Sequence, residues 1–153
     1  MRTSENIQAL AAALLAAQQE MPHPKKTAQN PHLRNKFADL PGVIDTVKAT
    51  LNKHGIAVVQ SVGGGLDNGQ QVVNVTTTLM HGESGQWLTD SVAQSVDGAK
   101  GMNLSQCVGS AITYLRRYSI SAMAFVASEP DDDGNEAKGG DVKAADPSSD
   151  FDL

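Results

Sequence analysis

The alternation of apolar and polar positions predicts three helices and three strands. In residues 4–20, Ile7, Leu10, Leu14 and Leu15 recur at helical spacing among alanines, with Ser4 placed to cap the first turn. Met21-Pro22-His23-Pro24 stops that helix, because proline cannot continue the hydrogen-bond ladder. A second helix follows Pro41, with Val43, Ile44, Val47 and Leu51 as its apolar stripe and Gly55 as its stop. Ile56 to Val62 is rich in β-branched residues and reads as a strand. Gly63-Gly64-Gly65 and Asp67-Asn68-Gly69 read as a turn region leading to a second strand, Gln71–Met80. There Val73, Val75, Thr77 and Leu79 alternate with Asn74, Thr76 and Thr78. Gly82 to Gly85 makes another turn, and Gln86 to Ala93 a third strand, with Trp87 expected between sheet and helix. From about Asn103 to about Ala124 a long helix carries Leu104, Val108, Ala111, Leu115, Tyr118 and Ala122 on one face. Gln106, Ser110, Thr113 and Arg117 share a polar face of the same helix. This order predicts an α+β class: an antiparallel three-stranded β-meander packed against helices.

Composition divides the chain. The 153 residues suit one hydrophobic core, which residues 1–127 can supply. From Ser128 to Leu153 the sequence is Asp, Gly, Ser, Lys and Ala with almost nothing to bury, so 128–153 reads as a disordered tail. That tail holds nine acids and two lysines, a charge of −7, which leaves +2 for residues 1–127 out of the overall −5. The overall acidity therefore conceals a mildly basic body. Residues 22–36 concentrate Lys25, Lys26, Arg34 and Lys36 among three prolines and no acid, and read as a basic loop. The single cysteine, Cys107, forms neither an internal disulfide nor a zinc site by itself and is assigned to the core. The first 20 residues lack the features of a signal peptide, and no apolar run approaches the ~20 residues that span a bilayer. A soluble, intracellular protein is the expectation.

Several segments, in order, resemble the ERF (essential recombination function) family of phage and prophage single-strand annealing proteins. They begin at Asn35-Lys36-Phe37-Ala38-Asp39-Leu40, similar to that family's KYADL stretch. They continue through Leu51 to Val58 (LNKHGIAV) with Gln60, then Thr78-Leu79-Met80-His81 with Ser84-Gly85-Gln86-Trp87. The most specific piece is Gln106 followed by Gly109 to Tyr118 (GSAITYLRRY), and Glu129 with Asp131 to Asn135 closes the set. Phe37 departs from the usual tyrosine, and Gln86 stands where an acid is common. The resemblance implies rings or filaments of identical subunits that bind single-stranded DNA and pair complementary strands without ATP. It also implies kinship with ring-forming annealing proteins built on a β-meander and a helix, and a bacterial cytoplasmic setting. It implies no catalysis and no cofactor.

Candidate chemistry centres on Arg116 and Arg117, which on a helix point about 100° apart and cannot share one direction. With Tyr114 they offer phosphate contacts and a stacking ring; the plainer reading is salt bridges within or between subunits. Tyr118, on the apolar stripe, reads as core. Lys25, Lys26, Arg34 and Lys36 can track a phosphate backbone, or simply belong to a solvated linker. Lys100 precedes a helix entry that favours anions, and is equally an ordinary loop lysine. Lys48, Lys53 and His54 read as a solvated face. Gly63-Gly64-Gly65 lacks the Gly-Lys-Ser/Thr of a phosphate loop, which argues against an ATP-driven recombinase.

His81 with Glu83, and Asp131 to Asp133, raise a metal reading, but carboxylates on a flexible tail are poor ligands, and His81 reads as a turn residue. The tail ends in Asp150-Phe151-Asp152-Leu153, which resembles the partner-recruiting tip of bacterial single-strand-binding proteins. It suggests a host or phage single-strand-binding or replication partner, beside the simpler role of solubilising the chain. The tail's charges also suit competition with DNA for the basic surface. Two rivals to annealing follow: strand protection without annealing, and a metal-dependent nuclease using the acidic cluster.

Overall fold

A computed structural model describes residues 1–29, 36–98 and 101–128. In chain order they form β1 (Arg2–Thr3), α1 (Gln8–Glu20), β2 (Ala28–Gln29), β3 (Lys36–Phe37), α2 (Leu40–Lys53), β4 (Ile56–Asp67), β5 (Gln70–His81), β6 (Trp87–Val96) and α3 (Leu104–Ala124). The main sheet has four strands rather than three, in the order β1-β6-β5-β4, and every pairing is antiparallel. The added strand is the N-terminus, where Arg2 and Thr3 pair with Thr89 and Leu88. The basic loop also contains structure: Ala28 and Gln29 pair with Phe37 and Lys36. The acidic cluster and the expected disorder of the tail fall on 129–153, outside the described residues. Ser128, expected to open that tail, is buried, and its carbonyl accepts a 2.8 Å bond from the Ala38 amide.

The hairpin between β4 and β5 is longer than its composition suggests. Gly63, Gly64 and Gly65 lie within β4, paired with Asn74, Val73 and Val72. The tip is Asn68-Gly69 alone, with φ of 49° and 81°. Two consecutive positive φ values match the tight turn whose twist suits a right-twisted hairpin. Three glycines therefore read as turn chemistry although the tip needs only one.

Alternation along β5 buries Val73, Val75, Thr77 and Leu79, as the pattern predicts. Leu88 packs inward from β6, so Trp87, one residue earlier, faces the other way and is only half-buried. Along α3 the buried positions are Cys107, Ala111, Leu115 and Ser119, then Ile120, Ser121 and Ala124. Leu104 and Ala122, expected on that face, are exposed. The buried row advances by fours, from Cys107 to Ser119 and again from Ile120 to Ala124. Cys107 is core, as expected.

Two apolar clusters result. Leu10, Val43, Val47, Leu51, Ile56 and Leu79 join Ile120 and Ala124 in one. Val73, Val75, Val96, Cys107, Ala111 and Leu115 form the other. Between them lies a polar seam, where the Thr77 and Ser119 hydroxyls are 2.6 Å apart and buried.

The helix ends have specific causes. Asp39 accepts a 2.9 Å bond from the Gly42 amide and caps α2. Asn103 and Gln106 exchange bonds in a capping box at α3. α1 begins at Gln8 rather than after Ser4, whose hydroxyl instead accepts from the Trp87 amide at 3.1 Å. The Gln86 side chain supplies the missing cap, accepting from the Ala9 and Leu10 amides at 2.8 and 3.1 Å. Gln86→Ala should therefore lower stability by about 1 kcal/mol. Gln86→Glu should raise it by about 0.3–1 kcal/mol, because a carboxylate faces the positive end of the helix. Urea melts of both variants check this, and an unchanged midpoint for Gln86→Ala would remove the cap.

At the other end of α1, Glu20 bonds Lys53, the last residue of α2, and His54 just after it, both expected to be merely solvated. The Lys53 hydrogen bond, followed by that of His54, holds the Glu20 carboxyl below its ordinary pKa. His81 closes the β5–β6 turn as expected, with Nδ1 2.8 Å from the Ser84 hydroxyl.

Candidate nucleic-acid interface

The two arginines of α3 diverge, as their angular separation requires. Arg117 turns toward β3, where its guanidinium carbon lies 4.6 Å from the centre of the Phe37 ring and 5.3 Å from that of Tyr118. Rings hold a guanidinium by attraction between the cation and the negative face of the ring. Phe37 therefore does without a hydroxyl at a position where its ring is used. Tyr114 stacks on Tyr118 with centres 4.1 Å apart and remains 47 % exposed. Tyr118 is thus only half-buried and supports Arg117 and Tyr114 from below, rather than filling the core.

Gly101, Gln106, Ser110, Thr113, Tyr114 and Arg117 line an open depression of about 640 Å³ along the outer side of α3. This is the polar face expected from the sequence, with Tyr114 added to it. The contact between Arg117 and Phe37 joins two stretches that contain no acid, residues 21–38 and 98–128. Exposed Lys36 sits beside Phe37, and exposed Lys26 lies two residues before Ala28, the strand partner of Phe37. Lys25 is exposed in the same segment. Arg34 and Lys100 fall outside the described residues.

Arg116 is not part of this face. Its Nε donates to Gln60 Oε1 at 3.1 Å, and Gln60 Nε2 donates back to the Arg116 carbonyl at 3.0 Å. The same Nε2 also donates to the Thr77 hydroxyl in the polar seam. Sequence reasoning missed this pairing, although a signal was present: Gln60 continues the inward alternation of Ile56 and Val58 with a polar group. Phe37 beneath Arg117 was missed for a different reason, since 80 residues separate them and no local pattern links them.

Among the described residues no cluster of His, Cys, Asp or Glu could hold a metal ion, and no helix is long and apolar enough to cross a membrane. The segments that resembled a known family turn out to make contact with one another: Phe37 with Arg117, and Gln60 with Arg116. No curated protein and no solved structure matches the chain. The family model of the ERF superfamily matches residues 10–149. That span includes Arg116, Arg117, both tyrosines and the basic segment 22–36, and the chain belongs to the ERF superfamily, a family of phage-type recombination and strand-annealing proteins.

Proposed function

We propose that the protein binds single-stranded DNA along the outer face of α3 and anneals complementary strands without ATP, acting as an oligomer. The observation that carries this reading is the union of the two acid-free stretches at the Arg117–Phe37 contact, with Tyr114 exposed beside it. Arg117 and Lys36 supply positive charge for phosphates, and Lys25 and Lys26 extend it; Arg34 and Lys100 add two more cations to the same acid-free stretches of sequence. Tyr114 presents a ring on which any base can stack, so no sequence preference is required. Ser110 and Thr113 offer hydroxyls to the backbone. A strand held by its phosphates keeps its base edges outward. Neutralised phosphates no longer repel a second strand, so pairing is accelerated without making or breaking a covalent bond.

Oligomerisation is supported by the sheet. β4 forms one edge, and among the described residues β6 is covered by β1 only at Leu88 and Thr89. From Ile56 to Leu66 the β4 edge carries no charge and no proline, the devices that ordinarily keep edges apart.

The test mixes two dye-labelled complementary oligonucleotides with the protein in the absence of nucleotide. Acceleration of pairing well above the spontaneous rate is expected. Binding without acceleration would replace annealing with strand protection. Degradation of the strands in magnesium, lost in Asp131→Ala/Asp132→Ala, would replace it with a nuclease.

A further inference from the structure

The side of α3 away from the proposed strand face borders a second cavity. Three elements each contribute a pair of side chains at the spacing that puts both on one side: Lys48 and Asn52 from α2, Val58 and Gln60 from β4, and Arg116 and Ile120 from α3. Together they enclose a cleft of about 340 Å³, within the roughly 300–1,000 Å³ of small-ligand sites. Val47, Val58 and Ile120 form its apolar floor, and Lys48 and Arg116 bring two positive charges to it. Among the described residues no carboxylate lines the cleft and neither cation is in an ion pair.

Arg116 is held in place before any ligand arrives. Its bond to Gln60 uses Nε alone, and Gln60 is itself held by the Arg116 carbonyl and by Thr77. A tethered guanidinium loses little freedom when its terminal nitrogens take up a planar or tetrahedral anion. The side-chain amide of Asn52, exposed one turn beyond Lys48, can both donate and accept. Two cations, an amide and an apolar floor in one small cleft match a ligand that is anionic at one end and flat and largely apolar at the other.

We propose that this cleft binds a single nucleotide, with its phosphate on Arg116 and Lys48, its base over Val47, Val58 and Ile120, and its base edge on Asn52. Gln60 is a positioning residue that aims Arg116. The nucleotide has two possible sources, a free mononucleotide or one unit of a polynucleotide strand. The site is separate from the Arg117–Tyr114 face and does not depend on strand binding there.

Calorimetric titration of the full chain with thymidine monophosphate, thymidine, inorganic phosphate and a short oligothymidylate tests the assignment. The monophosphate should bind at least tenfold more tightly than thymidine or phosphate alone. Lys48→Ala, an exposed position that leaves the core intact, should weaken it about tenfold. Arg116→Lys should do the same while keeping a cation on α3, whereas Arg117→Ala should leave mononucleotide affinity unchanged. Gln60→Leu should lower the affinity with Arg116 still present, a loss that restoring Gln60 alone reverses. Displacement of the monophosphate by saturating oligothymidylate identifies the strand as the source; simultaneous binding identifies the free nucleotide. No monophosphate binding at millimolar concentration, or affinity that follows Arg117 and ignores both Lys48 and Arg116, overturns the proposal. Failure of annealing with these nucleotide results intact would count against the annealing reading alone.

Discussion

Arg117→Ala should weaken binding of an oligothymidylate strand by roughly ten- to a hundredfold, the equivalent of the about 1.5–3 kcal/mol of a charge-assisted contact. The salt dependence should change with it: losing one phosphate contact to a single strand flattens the slope of log K against log salt by about 0.7. The variant also removes the cation held by Phe37 and Tyr118, so the mutant protein must be shown to melt as a folded domain. Arg117→Lys separates the two roles, because it keeps the charge and loses the planar group that lies against the rings. It should retain the salt slope and recover only part of the affinity. Tyr114→Ala should cost about 1–3 kcal/mol through lost stacking, with no change in slope, and Tyr114→Phe should bind like the parent. A folded Arg117→Ala protein with parental affinity and slope would remove the outer face of α3 from the strand site.

The second large effect concerns stability and three neighbouring glycines. All three are exposed in β4, so accessibility alone assigns them equal and small effects. Their surroundings differ. A Cβ on Gly64 would stand 2.7 Å from the Val72 carbonyl oxygen, a backbone atom fixed by the ladder. A Cβ on Gly65 would meet nothing within 4 Å. On Gly63 it would meet the Asn74 side-chain amide, which can swing aside. Gly64→Ala should therefore destabilise by about 1–3 kcal/mol, because the two strands must part to admit it. Gly65→Ala should be neutral or stabilising by about 0.5–1 kcal/mol, since glycine loses more freedom on folding. Gly63→Ala should fall between them. Urea unfolding midpoints rank the three, and coincident midpoints for Gly64→Ala and Gly65→Ala would refute the close approach.

These outcomes mark where a linear sequence informs and where it does not. Val43, Val47 and Leu51 of α2 and the alternating residues of β5 were legible because local periodicity and burial coincide there. The Gly55 stop and the His81 turn were legible for a related reason, since each depends on its near neighbours. Ser4 was misread because a cap can come from elsewhere in the chain: Gln86 reaches α1 across 77 residues. The stripe of α3 was misread at Leu104 and Ala122, because helical spacing alone does not say which turns another element covers. In the candidate site, residue types were legible and directions were not. The sequence showed that Arg116 and Arg117 must diverge, but only packing assigned Arg117 to Phe37 and Arg116 to Gln60.

β4 and β6 each run antiparallel to β5, and so run in the same direction on either side of it, with β6 bordered beyond by the two residues of β1. Two copies joined β4 to β4 would meet as antiparallel strands about a two-fold axis, and such an assembly is complete at two subunits. Joined β4 to β6 they would meet as parallel strands, related by a rotation that is not a two-fold. Every added subunit would then present the same unfilled margin as the last. Such a series ends only by closing on itself, and otherwise continues as a helix. The direction of two strands within one subunit thus separates a finite pair from a polar, extendable assembly.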